Sequence, residues 1–101
     1  MAPLESRIVL KIKEMLETRG AFIVKIHGSP LQVAGLPDLI GAYRGYFIGL
    51  EVKRPGRTAT KLQAFMLTRI KRAGGIAAVV HSVDEAILFL DEITYLPDGE
   101  G

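Results

Sequence analysis

The chain has 101 residues, 49% of them hydrophobic, and a formal net charge of +2. That length suits a single domain over the whole span 1–101, able to bury about 60 to 70% of its unfolded surface. There is no cysteine, which excludes disulfides, iron–sulfur clusters and thiolate zinc sites, so any metal must be held by oxygen or by the two histidines.

From Leu4 to Arg19 the apolar residues Ile8, Ile12, Met15 and Leu16 recur at helical spacing, Lys11, Lys13, Glu14 and Glu17 fall mostly elsewhere, and Gly20 supplies a stop. An amphipathic helix is expected. Phe22 to Ile26 is rich in β-formers and lies between Gly20 and the Gly28-Ser29-Pro30 turn cluster, which predicts a first strand followed by a loop from Gly28 to Pro37. Asp38 to Tyr43 reads as a second strand, Arg44-Gly45 as a tight connection and Tyr46 to Lys53 as a third strand, together a hairpin.

Arg54 to Ala59 is a predicted loop leading into a helix from about Lys61 to Ala73, with Leu62, Phe65, Met66, Arg69 and Ile70 on one face and Gly74-Gly75 as its end. Ile76 to Val80 is a short apolar run suited to a buried strand, and Ser82 with Glu85 forms a capping box that opens a last helix from Val83 to about Tyr95. Pro97 to Gly101 reads as a frayed end. The order is α-β-β-β-α-β-α, and a parallel crossover from the third to the fourth strand gives an α/β fold with a mixed sheet covered by helices. No apolar run approaches the roughly 18 residues of a membrane-spanning helix. The N-terminus also lacks the basic, hydrophobic and small-residue pattern of a secretory leader, so a cytoplasmic protein with no membrane partner is expected.

Charge is distributed unevenly. Between Val52 and Val83 there is no acidic residue, while Lys53, Arg54, Arg57, Lys61, Arg69, Lys71 and Arg72 all fall there. Beyond Arg72 the acids Asp84, Glu85, Asp91, Glu92, Asp98 and Glu100 stand without any Lys or Arg. A basic middle beside a carboxylate pair suggests a polyanionic ligand whose phosphates it neutralises; a solvated helix face explains the charge bias alone equally well.

Two segments carry the chemistry: Gly35-Leu36-Pro37-Asp38-Leu39 and Phe47-Ile48-Gly49-Leu50-Glu51-Val52-Lys53. Strand alternation puts Glu51 and Lys53 on one face. Asp38, at the start of one strand, and Glu51, near the end of its antiparallel partner, approach across the hairpin, with the Val52 carbonyl between Glu51 and Lys53. Magnesium accepts one or two carboxylates plus a carbonyl and keeps several waters, and a divalent cation serves each need of phosphodiester hydrolysis. Lys53 then orients the attacking water or stabilises charge on the phosphate. The Glu51–Lys53 pair is expected to hold both side chains ionised before a metal arrives; the bland reading of the trio is a cross-strand ion pair.

These segments resemble the PD-(D/E)XK nuclease superfamily, with Pro37-Asp38 as its PD element and Glu51-Val52-Lys53 as its (D/E)XK element. The wording Gly35-Leu36-Pro37-Asp38-Leu39 and Glu51-Val52-Lys53-Arg54-Pro55 is most similar to the VRR-NUC domain in its stand-alone phage and bacterial form, which implies a restriction-endonuclease-like core. In that family a glutamate of the N-terminal helix lies near the metal, often acting through water, and Glu5 matches it; the other reading is a carboxylate at the positive end of a helix. Gln63 matches the glutamine that follows the catalytic lysine in related nucleases, and Thr60 with Gln63 also has capping-box spacing.

The resemblance implies an Mg2+- or Mn2+-dependent DNA endonuclease, acting as a homodimer on branched or structured DNA in the cytoplasm of a bacterial or phage-infected cell. Asp38, Glu51, Val52 and Glu5 are the expected metal site, Lys53 and Gln63 complete the catalytic set, and Arg54, Arg57 and Lys61 contact the DNA backbone. A Holliday junction resolvase of the archaeal type is a near rival, and a non-catalytic nucleic-acid-binding module on the same fold is a rival of another class. His27, His81, Tyr43 and Tyr46 are weaker candidates, for phosphate contact, proton transfer or base stacking, and each has an ordinary structural reading.

Overall fold

The computed structural model describes residues 4–26 and 33–99. Its elements are α1 (Leu4–Thr18), β1 (Phe22–Lys25), β2 (Leu39–Tyr43), β3 (Tyr46–Val52), α2 (Lys61–Arg72), β4 (Ile76–Val80) and α3 (Val83–Thr94). The predicted order holds. His27 and the Gly28-Ser29-Pro30 turn lie outside the described residues. The strands lie side by side as β1-β2-β3-β4, antiparallel at the first two junctions and parallel at the third, so α2 is the crossover that joins β3 to β4.

β3 is paired on both edges, and every residue from Ile48 to Val52 is buried. Alternation sends Ile48, Leu50 and Val52 to one face, where they join Val9, Ile12 and Leu16 of α1 and Phe89, Leu90 and Ile93 of α3 in the core. Each such fully buried aliphatic side chain contributes about 1.5–3 kcal/mol. The other face carries Phe47, Gly49 and Glu51, beneath α2. Gly49 is there because a Cβ would come within 3.0 Å of Ile70 Cδ1 and 3.2 Å of Pro37 Cγ.

α2 lies over β3 and β4 in a different rotation from the one its apolar residues suggest. Met66 and Leu67 are its buried residues, while Leu62 and Phe65 are exposed and Gln63 turns inward to Glu51. Gln63, Met66, Leu67 and Ile70 have the spacing of a single stripe. Leu62 and Phe65 occupy the neighbouring stripe, with Leu62 beside Gly35 of the loop that precedes β2.

The hairpin closes on two residues of positive φ, Arg44 at 54° and Gly45 at 85°, the conformation whose twist matches the flanking strands. The tail expected to fray is held to this turn as far as Gly99. Tyr46 Oη donates to the Pro97 carbonyl at 2.7 Å, Arg44 pairs with Asp98 at 2.8 Å, and the Gly99 N–H donates to the Arg44 carbonyl at 2.8 Å. Tyr43 meets the Thr94 hydroxyl at 3.2 Å, so both tyrosines are engaged with the chain's own C-terminal segment.

Gly41 of β2 pairs with Ile23 of β1, and a Cβ on it would overlap the backbone carbonyl of Phe22. That atom cannot retreat without opening the β1–β2 ladder. Gly41→Ala is expected to lower stability by about 2–4 kcal/mol, or roughly 10–25 °C in Tm, measured by circular dichroism melting; an unchanged Tm would contradict the packing of β1 on β2.

Candidate active site

The site forms where β2 begins and β3 ends. Pro37 is fully buried and lies against Gly49 of the neighbouring strand, while the Ile26 N–H donates to the Asp38 carbonyl at 2.8 Å. These contacts fix Asp38 at the mouth of β2. Its Oδ2 then accepts the Val52 N–H at 2.8 Å, which binds the carboxylate to the end of β3, and the register that pairs Leu39 with Leu50 sets Asp38 opposite Glu51.

Glu51 is only 2% exposed. Its Oε1 accepts from Gln63 Nε2 at 3.1 Å and lies 3.9 Å from Lys53 Nζ, whereas its Oε2 is buried with no donor among the described residues. Burial, then the negative charge of Asp38 and the hydrogen bond these carboxyls share once Glu51 is protonated, push Glu51 up to about 8 against the opposing pull of Lys53; Glu5 adds a smaller upward push. The expectation that Lys53 would keep Glu51 ionised is therefore corrected. Lys53 is two residues away and 3.9 Å distant, and the desolvation of a central strand outweighs it.

Gln63 serves two ends at once. Its Oε1 accepts the Thr60 N–H at 2.9 Å and its N–H donates to Thr60 Oγ1 at 3.2 Å, the reciprocal capping box, while its amide nitrogen holds Glu51. Glu5 does not join the two carboxylates: among the described residues no three His, Asp or Glu side chains stand close enough to hold a metal together. Glu5 instead lines a cleft of about 350 Å³ with Lys53, Arg54, Arg57, Thr58 and Thr60. The basic loop turns at Pro55-Gly56, with the Arg57 N–H donating to the Arg54 carbonyl at 2.9 Å and Gly56 at φ 83°. Lys61 is exposed in the first turn of α2.

The donors at the mouth are Asp38, the unsatisfied Oε2 of Glu51 and the backbone at Val52, all oxygen. Such a set fits a hard divalent cation that keeps several of its waters, and the mutual repulsion of two carboxylates is what a cation relieves.

One residue is more engaged than its sequence context suggested. His81 Nε2 meets the Arg57 carbonyl at 2.8 Å, and Nδ1 lies 3.0 Å from Glu85 Oε1. Ser82 caps α3 as expected, accepting the Glu85 N–H at 3.1 Å, but the reciprocal half of the box is altered. Glu85 accepts from the His81 N–H at 3.2 Å, one residue before the cap. A Ser-x-x-Glu spacing signals the helix start and leaves open which backbone donor the glutamate takes.

No family model matches the chain, and no curated protein matches it. Among solved structures, one described as a "VRR_NUC domain" superposes with a TM-score of 0.75 at 25% identity, covering 94% of this chain and 100% of that one. The chain folds as a VRR-NUC domain. A second solved structure, a "VRR_NUC domain protein", agrees at a TM-score of 0.71 and 25% identity, over 100% of this chain and 97% of that one. The likeness spans all the elements that build the site, so the carboxylate-bearing strands belong to a nuclease-type domain. Among its described residues the chain has no helix long and apolar enough to cross a membrane.

Because the folded domain holds the Glu51 proton more tightly than the unfolded chain does (about 8 against 4.5), this group's contribution to stability is complete below about pH 4.5 and is lost as pH rises to and through about 8. The metal-free domain is therefore expected to melt at a lower temperature at about pH 8.5 than at about pH 6. Glu51→Gln, which keeps the shape and has no charge to bury, should abolish most of that decline and raise Tm at the higher pH by roughly 5–10 °C. A wild-type decline that survives the substitution would assign it to another group.

Proposed function

We propose that this chain is an Mg2+- or Mn2+-dependent endodeoxyribonuclease that hydrolyses phosphodiester bonds in branched or structured DNA. The observation that carries the proposal is the state of Glu51: a buried carboxyl group whose Oε2 has no donor among the described residues, beside a second carboxyl group and within reach of a lysine. A purely structural ion pair would satisfy both oxygens. Asp38, Glu51 and the Val52 carbonyl would hold the cation, with Glu5 acting through water. When bound, the cation supplies an activated water and neutralises charge on the phosphate.

The chain's own residues do the remaining work. Gln63 fixes the rotamer of Glu51, so that Oε2 is the oxygen left for binding. Lys53, 15% exposed at its side chain, presents its ammonium beside Glu51, where it orients the attacking water and offsets charge on the phosphate oxygens. Arg54 and Arg57 along the cleft, with Lys61 at the start of α2, bind phosphates without reading bases, which suits recognition by DNA shape. The compartment in keeping with such a substrate is the cytoplasm of a bacterial or phage-infected cell.

A second copy of the chain is the proposed partner. α1 and α3 cover one face of the sheet and α2 covers β3 and β4 on the other; among the described residues Phe22, Val24, Ala42 and Phe47 are exposed on the α2 side. Phe22 is 68% exposed, and Phe65 of α2 is 58% exposed. An apolar surface of this kind marks an interaction site, and pairing would bring two active sites to one branched substrate.

Cleavage is tested on linear duplex, flap, splayed and four-way junction DNA with each metal at several salt concentrations. Lys53→Ala is expected to reduce the rate by at least about a hundredfold with DNA affinity largely retained; no cleavage of any substrate with either metal, or full activity in the variant, would refute the assignment. In analytical ultracentrifugation the wild type is expected to sediment as a dimer and Phe65→Asp as a folded monomer. A wild type that stays monomeric at about 100 μM, far above the dissociation constant of a specific pair, would remove the second copy from the proposal.

A further inference from the structure

The loop 54–59 separates two spaces. On one side its Arg54, Arg57 and Thr58 line the cleft with Glu5 and Lys53. On the other, Pro55 and Thr58 face His81, Ser82 and Glu85 across a hollow of about 410 Å³. A loop that arches over a hollow has little packing to hold it. Among the described residues, the contact between His81 and the Arg57 carbonyl is the only hydrogen bond joining the loop to the start of α3.

The chemistry of that contact restricts the ring. The Arg57 carbonyl can only accept, so Nε2 must carry a proton to bond it at 2.8 Å. An ionised Glu85 can also only accept, so Nδ1 must carry a proton to bond it at 3.0 Å. Both bonds together require the imidazolium; a neutral ring has one N–H, which the ionised Glu85, the stronger acceptor, takes at Nδ1, so the Arg57 carbonyl is the partner given up. We propose that His81 is a positioning residue for DNA binding: as the imidazolium it pins the 54–59 loop so that Arg54 and Arg57 stand along the cleft, and loss of its proton frees the loop and weakens the hold on phosphates. The assignment of DNA as the ligand rests on the nuclease reading above.

The charged groups around the ring come from three elements. Glu85 and Asp84 belong to the first turn of α3, Arg57 to the loop, and Lys53 to the end of β3, where its N–H donates to the Val80 carbonyl at 3.0 Å. The hydrogen bond with Glu85, followed by that with the Arg57 carbonyl, raises the pKa of His81 above its ordinary value and lowers that of Glu85. Lys53 and Arg54 lie on the cleft side of the loop, and Arg57 borders both spaces.

The test measures binding of labelled four-way junction and duplex DNA by anisotropy from about pH 5.5 to 9 at constant salt, without metal and in a Glu51→Gln background that removes the other titrating group. The parent is expected to lose affinity roughly fivefold across this range. His81→Ala should bind at every pH as weakly as the parent does at the alkaline end, with a flat profile. His81→Gln, which keeps one N–H for the Arg57 carbonyl, should also be flat but bind more tightly than His81→Ala, and Glu85→Gln should move the parent's transition to lower pH.

With native Glu51 and metal, His81→Ala should raise KM roughly fivefold and leave kcat within about twofold. Nitrogen NMR of the wild type should find both ring nitrogens protonated at about pH 6, a readout that survives if a variant fails to fold. A His81→Ala profile that keeps the parent's pH dependence, a loss in kcat with KM unchanged, a singly protonated ring at that pH, or a folded parent that binds no DNA at any pH overturns the proposal. If the wild type cleaves nothing with either metal while His81→Ala still flattens the binding profile, the nuclease reading fails and the role of His81 stands.

Discussion

A carboxyl group in the middle strand of a sheet is the constraint on which this structure turns. Removing an ionised carboxylate from water costs several kcal/mol even after the protein relaxes around it, and Glu51 sits on a strand paired along both edges. The surroundings offset only part of that cost: an amide from Gln63 and a distant ammonium from Lys53 reach one oxygen, and among the described residues nothing donates to the other. The domain resolves the conflict in the absence of a cation by retaining a proton. Stability and the proposed affinity for a cation would be opposed at this residue, as they are wherever a site is built from groups that repel one another.

The rest of the architecture follows from presenting that carboxyl correctly. Pro37 rests on Gly49 so that Asp38 crosses to β3. α2 is rotated so that Gln63 faces Glu51, and the same side chain closes the helix's own N-terminal cap, which makes the start of α2 and the orientation of the acid one structural event. The rotation also turns Leu62 and Phe65 away from the core, where both are exposed. An internal requirement of the site thus generates the apolar outer surface on which pairing is proposed.

What could be read from the amino-acid order was what depends on neighbours in the chain. Alternation from Tyr46 to Lys53, the Arg44-Gly45 turn and the Thr60–Gln63 spacing each prescribe local geometry, and the PD and (D/E)XK wording brought the two strands into one site. The protonation of Glu51 was not readable, because Lys53 is visible two residues away while the depth of burial and the approach of Asp38 arise only when β2, β3 and β4 assemble. The rotation of α2 was hidden for a related reason: Leu62 and Phe65 are as apolar as Met66 and Leu67, and only the sheet beneath decides which pair is covered. His81 stood out only as a weak candidate, because its partner on the loop is 24 residues away and is a backbone carbonyl, which carries no residue identity.

The strap of Pro97, Asp98 and Gly99 across the hairpin turn lies at the opposite end of β2 from Asp38, about 15–20 Å away at the rise of an extended strand. Because side chains alternate along a strand, a slip of one residue in the β2–β3 pairing would carry Glu51 from the α2 face to the α1 face and dismantle the site completely. The turn sets that pairing, and the strap clasps the turn from outside through the Arg44 side chain and carbonyl and the Tyr46 hydroxyl. The C-terminal segment therefore works as a lock on phase: it touches none of the acids, yet it helps decide on which side of the sheet they stand.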